Sequence, residues 1–219
     1  MLRLLFEKTG NAVWISHLDL MRLFQRAFKR AGLSLTHTQG FNPRPSVSIA
    51  MPLSVGVESV CELLDFDLDG ESVSCDEILT RLNQTLTEGV HVLQVYENGK
   101  KIKDLSLLHC QVFLEYDNGI PGNANSALQE LFCRESLIVP KKSKNGIQEQ
   151  DIIPMLKNME LIEVGENELV LDCVVCCQNP TLNPMQLVAA IELHLPELKP
   201  DFAKCRRIEI FDKDSNVFR

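Results

Sequence analysis

The chain has 219 residues, of which 45% are hydrophobic and 24% charged. That is one large domain or two small ones, with apolar content enough for a core, and it excludes collagen-like and disordered classes. No run approaches the ~18 apolar residues of a membrane span, the first residues are charged too soon for a signal peptide, and the eight cysteines lack the spacing of a disulfide scaffold. A cytoplasmic protein with no membrane partner is the expectation. The net charge of −8 argues against a general nucleic-acid coat, but it is unevenly spread. Residues 1–50 hold seven basic residues against two acidic, a balance of +5, whereas the other 169 hold 15 against 28, a balance of −13.

In chain order, Leu2–Lys8 reads as a strand, ended by Thr9-Gly10-Asn11. A helix is predicted from His17 to Ala31: Ser16 and Asp19 form a capping-box-like pair, and Gly32 stands just past the end. Leu20, Phe24, Ala27, Phe28 and Ala31 give it an apolar stripe at helical spacing. After a Gly/Pro-rich turn come strands at Val47–Met51 and Glu62–Leu68, a helix from Ser74 with Glu77 to Leu86, and a strand at Val90–Tyr96. That order is β-α-β-β-α-β, the ferredoxin-like succession. The polar stretch 98–104 marks a boundary.

The second half repeats the pattern without repeating the residues. A strand is predicted near Leu107–Tyr116, a helix near Asn123–Phe132 and a strand near Ser136–Pro140. An irregular Lys-rich stretch follows, then a hairpin around Gly165-Glu166-Asn167. A helix opened by Asn183 and Pro184 and a last strand at Arg207–Phe211 complete it. The expected fold is therefore α+β, two ferredoxin-like halves with antiparallel sheets and helices on one face. The halves run over 1–98, with the basic helix and the 39–45 loop, and over 105–219.

Arg22, Arg26, Lys29 and Arg30 lie at i, i+4, i+7 and i+8 of the first helix, along one face. Such a stripe neutralises several phosphates, or is a solvated helix face. The segment Gln39-Gly40-Phe41-Asn42-Pro43-Arg44-Pro45 combines backbone restraint from Pro43 and Pro45, and a glycine that permits a positive φ, with an aromatic ring, an amide and a guanidinium. These are the groups that stack on and hydrogen-bond to unpaired bases; the alternative is a connector in which Phe41 plugs the core and Arg44 caps a carbonyl. His17 is a candidate general base or phosphate ligand at the start of the helix, while Asp19, two residues on, diverges from it on a helix and suits a cap better. Cys173-Val-Val-Cys176-Cys177 has a CxxC spacing but no second pair, which favours buried thiols over zinc. No metal or other cofactor is called for, and there is no phosphate loop, dinucleotide fingerprint or nucleophile elbow.

The stretch from Lys8 to Arg22, then Arg30-Ala31-Gly32-Leu33 and Thr38-Gln39-Gly40-Phe41-Asn42-Pro43-Arg44-Pro45, resembles the radical-SAM-linked protein family. Pro52 to Ser59 continues the match, which weakens beyond residue 68 but returns at Lys141–Asp151 and at Leu182-Asn183-Pro184. In that family the domain stands alone or is fused behind a radical SAM enzyme, and its genes often lie beside those of an RNase E/G-type nuclease and of large-subunit ribosomal proteins. Ser16-His17-Leu18-Asp19 and Gln39 to Pro43 are its signature positions. The family brings no established activity. Because the iron–sulfur cysteine triplet is missing here, the resemblance implies the linked partner and not the radical enzyme. The doubled pattern also resembles the CRISPR repeat-processing endoribonucleases, whose glycine-rich C-terminal loop has no counterpart in Arg206–Arg219. The resulting expectation is an RNA-binding or substrate-presenting accessory protein for a radical SAM enzyme acting in RNA or ribosome modification. No DNA-specific signal is present. The alternatives are a metal-independent endoribonuclease using His17 and a protein-only adaptor.

Overall fold

The computed structural model describes residues 1–70, 72–143 and 146–219. Its contacts divide the chain into two units, Met1–Ile102 with Arg219, and Lys103–Phe218. The fold is mixed α+β, with antiparallel strands and, among the described residues, four α-helices.

The first unit runs β1 (Leu2–Lys8), a short 3-10 helix (Gly10–Trp14), α1 (His17–Arg30), β2 (Val47–Ile49), β3 (Glu58–Phe66), α2 (Cys75–Asn83) and β4 (Val90–Glu97). Its strands lie in the order β4-β1-β3-β2, each pair antiparallel, with Leu2 opposite Phe66 and Leu4 opposite both Leu64 and Val95. The apolar stripe of α1 covers this sheet. Leu20, Phe24, Ala27 and Phe28 are buried; Phe24 meets Phe6 edge-on at 4.8 Å between ring centroids, and Phe28 meets Phe66 at the same distance. Such aromatic pairs add ~0.5–1.5 kcal/mol beyond the area they bury.

Several boundaries differ from the sequence expectation for local reasons. β2 stops at Ile49 because Met51 takes a left-handed φ of 46°. α2 stops at Asn83, short of Leu86, because the Asn83 side chain accepts from the Val92 amide and donates to the Val92 carbonyl (2.8 and 2.9 Å). β3 begins four residues early because it follows its partner β1 back to Lys8, which faces Ser59.

The second unit runs β5 (Leu105–Glu115), α3 (Ala124–Phe132), β6 (Ile138–Ser143), β7 (Gly146–Asp151), β8 (Leu156–Val164), β9 (Glu168–Cys176), α4 (Met185–His194) and β10 (Phe202–Asp212). Within it the order is β10-β5-β9-β8, again antiparallel. The strand predicted at Ser136–Pro140 is not one of these four. It is β6, paired only with β7 in a separate ribbon where Pro140 lies opposite Glu149. A ribbon suits a proline, whose missing N–H is tolerated where no second neighbour needs it. Part of the stretch expected to be irregular is therefore β7, while Lys144 and Asn145 of that stretch lie outside the described residues. α4 opens one residue after Pro184, and the Asn183 side-chain oxygen accepts from the Met185 amide (3.1 Å), which is a capping contact. No helix among the described residues is long and apolar enough to cross a membrane.

Candidate nucleic-acid interface

Both ends of α1 are closed by local chemistry. At the start, the Asp19 amide donates to Ser16 Oγ (3.2 Å) and the Ser16 hydroxyl donates to Asp19 Oδ2 (2.7 Å). Asp19 Oδ1 takes the Arg22 guanidinium at 2.9 Å. The Ser16 hydrogen bond, helped by Arg22, holds the Asp19 carboxyl below its ordinary value. At the end, the Gly32 amide donates to the Lys29 carbonyl and the Leu33 amide to the Phe28 carbonyl. That 5→2 and 6→1 pair needs a left-handed residue between helix and exit, and Gly32 supplies it at φ +69°.

These commitments change the meaning of the basic face. Arg22 is paired with Asp19, and Arg30 Nη2 donates to the Thr85 carbonyl (2.8 Å). Arg26 and Lys29 are exposed and, among the described residues, their side chains make no hydrogen bond or ion pair. Two further basic residues counted at the N-terminal end are not on the surface at all. Lys8 is 0% exposed with its ammonium on the Val13 carbonyl, and Arg3 is 2% exposed with a two-pronged grip on Asp65.

The 39–45 segment is a closed, projecting loop. Its base is a short ladder: the Thr38 amide donates to the Arg44 carbonyl, the Arg44 amide to Thr38 Oγ1, and the Ser46 amide to the Thr36 carbonyl, with His37 bridged to Pro45. Gln39, Gly40, Phe41, Asn42, Pro43 and Arg44 are all exposed, and Gly40 bends the tip at φ +142°. Phe41 has 107% of its reference surface in solvent, so it plugs no core. Arg44 donates from its backbone and, among the described residues, not from its guanidinium.

The loop base meets α1 at the helix's C-terminal end. A cavity of about 370 Å³ lies there, between Gln25 and Lys29 on the helix side and Ser34, His37 and Pro45 on the other. His17 opens the 14-residue helix at the opposite end, ~20 Å from its last residue at ~1.5 Å per residue. The cavity thus joins Lys29 to the loop base, and the helix holds His17 apart from them. Among the described residues His17 Nδ1 is buried with no hydrogen-bond partner, the carboxylate of Asp19 is spent on Ser16 and Arg22, and no other carboxylate is bonded to the imidazole.

Sequence reasoning missed the cavity wall. Ser34 sits between buried Leu33 and Leu35, an alternation that signals extended chain with an outward middle residue. In the second unit, His109 Nε2 and Gln111 Nε2 hold the two oxygens of Asp172 at 2.8 Å each. Nothing in the sequence signals that trio, because Asp172 lies 63 residues from His109. The CxxC segment is a strand whose Cys173 Sγ faces Cys110 Sγ at 3.5 Å, and burial pushes the neighbouring Cys177 thiol up to about 12.

A family model described as "Uncharacterized protein conserved in bacteria (DUF2344)" matches residues 1–184. The chain belongs to that family. The DUF2344 match takes in the whole of the basic helix and the loop, and ends one residue before α4. No curated protein matches this chain. Among solved structures, a chain of a Cbf5-Nop10-Gar1 complex is similar in fold, with a TM-score of 0.55 at 9% identity. The similarity covers 97% of this chain and 50% of that one, so this chain spans about half its length. An unknown protein from Galdieria sulphuraria is matched over 94% of this chain and 96% of its own at 11% identity, with a TM-score of 0.27.

Proposed function

We propose that this chain is a cytoplasmic RNA-binding accessory protein made of two ferredoxin-like units, presenting single-stranded RNA to a radical SAM enzyme in RNA or ribosome modification. The observation that carries the reading is Phe41, wholly solvent-exposed at the tip of a hydrogen-bonded loop whose base meets the exposed Lys29 of α1. An aromatic ring held out in water has no folding role, but it is the platform on which an unpaired base stacks. The same strand order in both units supports the ferredoxin-like reading. The enzyme partner is supported by the sequence resemblance. It is also supported by Trp14 and Leu18, 66% and 67% exposed beside the start of α1, where a protein surface can cover them.

The test is binding of a labelled unstructured RNA and of its duplex form. Single-stranded RNA binds and duplex binds more weakly. Phe41→Ala costs ~1–3 kcal/mol of the single-strand affinity and leaves the thermal midpoint unchanged. Equal affinity for both forms, or an unaffected Phe41→Ala variant, overturns the reading.

One observation favours a second reading, an endoribonuclease: the imidazole of His17, at a helix start, has a nitrogen with no partner among the described residues. Against it, Asp19, the carboxylate nearest in sequence, is engaged by Ser16 and Arg22.

A further inference from the structure

The 370 Å³ cavity at the C-terminal end of α1 has a composition of its own. Its floor comes from Leu33 and Leu35, which are 3% and 8% exposed, so the recess is apolar at depth. Its lining also includes Gln25, Ser34 and His37, whose side chains can each donate and accept, and Lys29. Among the described residues the Lys29 ammonium has no acidic partner. An apolar slot edged by a few convergent polar groups is the usual form of a small-molecule site, and 370 Å³ falls at the low end of their ~300–1,000 Å³ range.

We propose that this cavity is a subsite for one unstacked nucleotide, its base lying on Leu33 and Leu35 and its 5′-phosphate at Lys29. A base has an apolar face and an edge of mixed donors and acceptors, which matches the floor and the polar lining. A phosphate answers a cation with no acidic partner among the described residues. The volume admits a single nucleotide and no stacked pair. The cavity walls are set by the end of α1, locked by the Gly32 turn, and by the His37–Pro45 bridge, so the subsite is formed before anything binds. The proposal rests on the RNA-binding reading and names the place where one residue of the strand leaves the stack.

The test titrates the full chain with the four 5′-mononucleotides, and with adenosine and inorganic phosphate as the component probes, followed by amide and side-chain NMR. At least one mononucleotide shifts Gln25, Ser34 and His37 signals saturably at millimolar concentration, more tightly than adenosine or phosphate alone. Ser34→Phe, which fills the slot from an exposed position, weakens that binding by about tenfold or more. Lys29→Gln weakens mononucleotide binding and leaves adenosine binding unchanged. His37→Ala, a milder change, weakens the nucleotide without altering the amide spectrum elsewhere. The proposal is overturned if no mononucleotide moves the cavity signals, if phosphate alone accounts for the binding, or if Ser34→Phe and His37→Ala both bind as the wild type does. Single-stranded RNA that still binds when mononucleotides fail refutes the subsite and leaves the RNA reading standing. Mononucleotides bound at the cavity by a chain that ignores RNA support the subsite and refute the RNA reading.

Discussion

The sharpest consequence of the α1 geometry concerns salt. Of the four cations on its exposed face, Arg22 is held by Asp19 and Arg30 by the Thr85 carbonyl. Arg26 and Lys29 remain to take phosphates. Each single-strand phosphate contact contributes ~0.7 to the slope of log K against log salt. The double substitution Arg26→Gln, Lys29→Gln should therefore lower that slope by ~1.4. Arg22→Gln should lower it by well under ~0.7, because its charge is already compensated. Asp19→Asn should act in the opposite sense: it frees Arg22 and raises the slope by up to ~0.7. Fluorescence anisotropy of a short labelled RNA at several potassium chloride concentrations measures all three, with circular dichroism confirming that each variant is folded. A slope unchanged in the double variant would reduce α1's face to solvated charge. A slope lowered equally by Arg22→Gln would show that the Asp19 pair opens on binding.

Other consequences follow from the same geometry. Asp19 is depressed by the Ser16 hydroxyl and by Arg22, so the stability it contributes is present above the ordinary carboxylate value and lost as pH falls through its lowered one. A carboxyl NMR titration should place its midpoint below 3.8, moving up in Ser16→Ala; an ordinary midpoint in the wild type would refute the cap geometry. Phe24→Ala empties a fully buried site against Phe6 and should cost ~3–5 kcal/mol in urea unfolding, while a cost under ~1 kcal/mol would mean that α1 does not organise this core. The wild-type chain should leave labelled RNA intact. Cleavage that His17→Ala slows by ~10²–10⁴ with binding preserved would put the nuclease in place of the accessory protein.

What was legible in the sequence is what short-range chemistry decides. The bounds of α1 follow from residues within a turn of each end, Ser16 with Asp19 and Gly32 with Leu33, and the structure ends the helix one residue before the expected Ala31. The four-strand order needs distant pairings, yet the alternation of strands and helices already constrains it. The cavity is different in kind. It exists because Pro45 returns beside Lys29, and no local pattern says to which end of a helix a 14-residue excursion comes back. His109 and Asp172 meet for the same sort of reason, 63 residues apart. Charge was the subtlest misreading. A tally of residues cannot tell that Lys8 and Arg3 are strand positions whose side chains are buried on a carbonyl and a carboxylate. Among the described residues, the cations of the segment whose side chains make no hydrogen bond or ion pair are Arg26, Lys29 and Arg44, with Lys29 at the end of α1 that the loop adjoins. That end is where the helix dipole repels an anion, by ~0.3–1 kcal/mol at the surface. The proposed phosphate contact therefore requires side chains to outweigh the backbone there. Reversing one of them therefore does more than remove a contact. Lys29→Glu should weaken RNA binding beyond Lys29→Gln, because the dipole and the new carboxylate then act with the same sign.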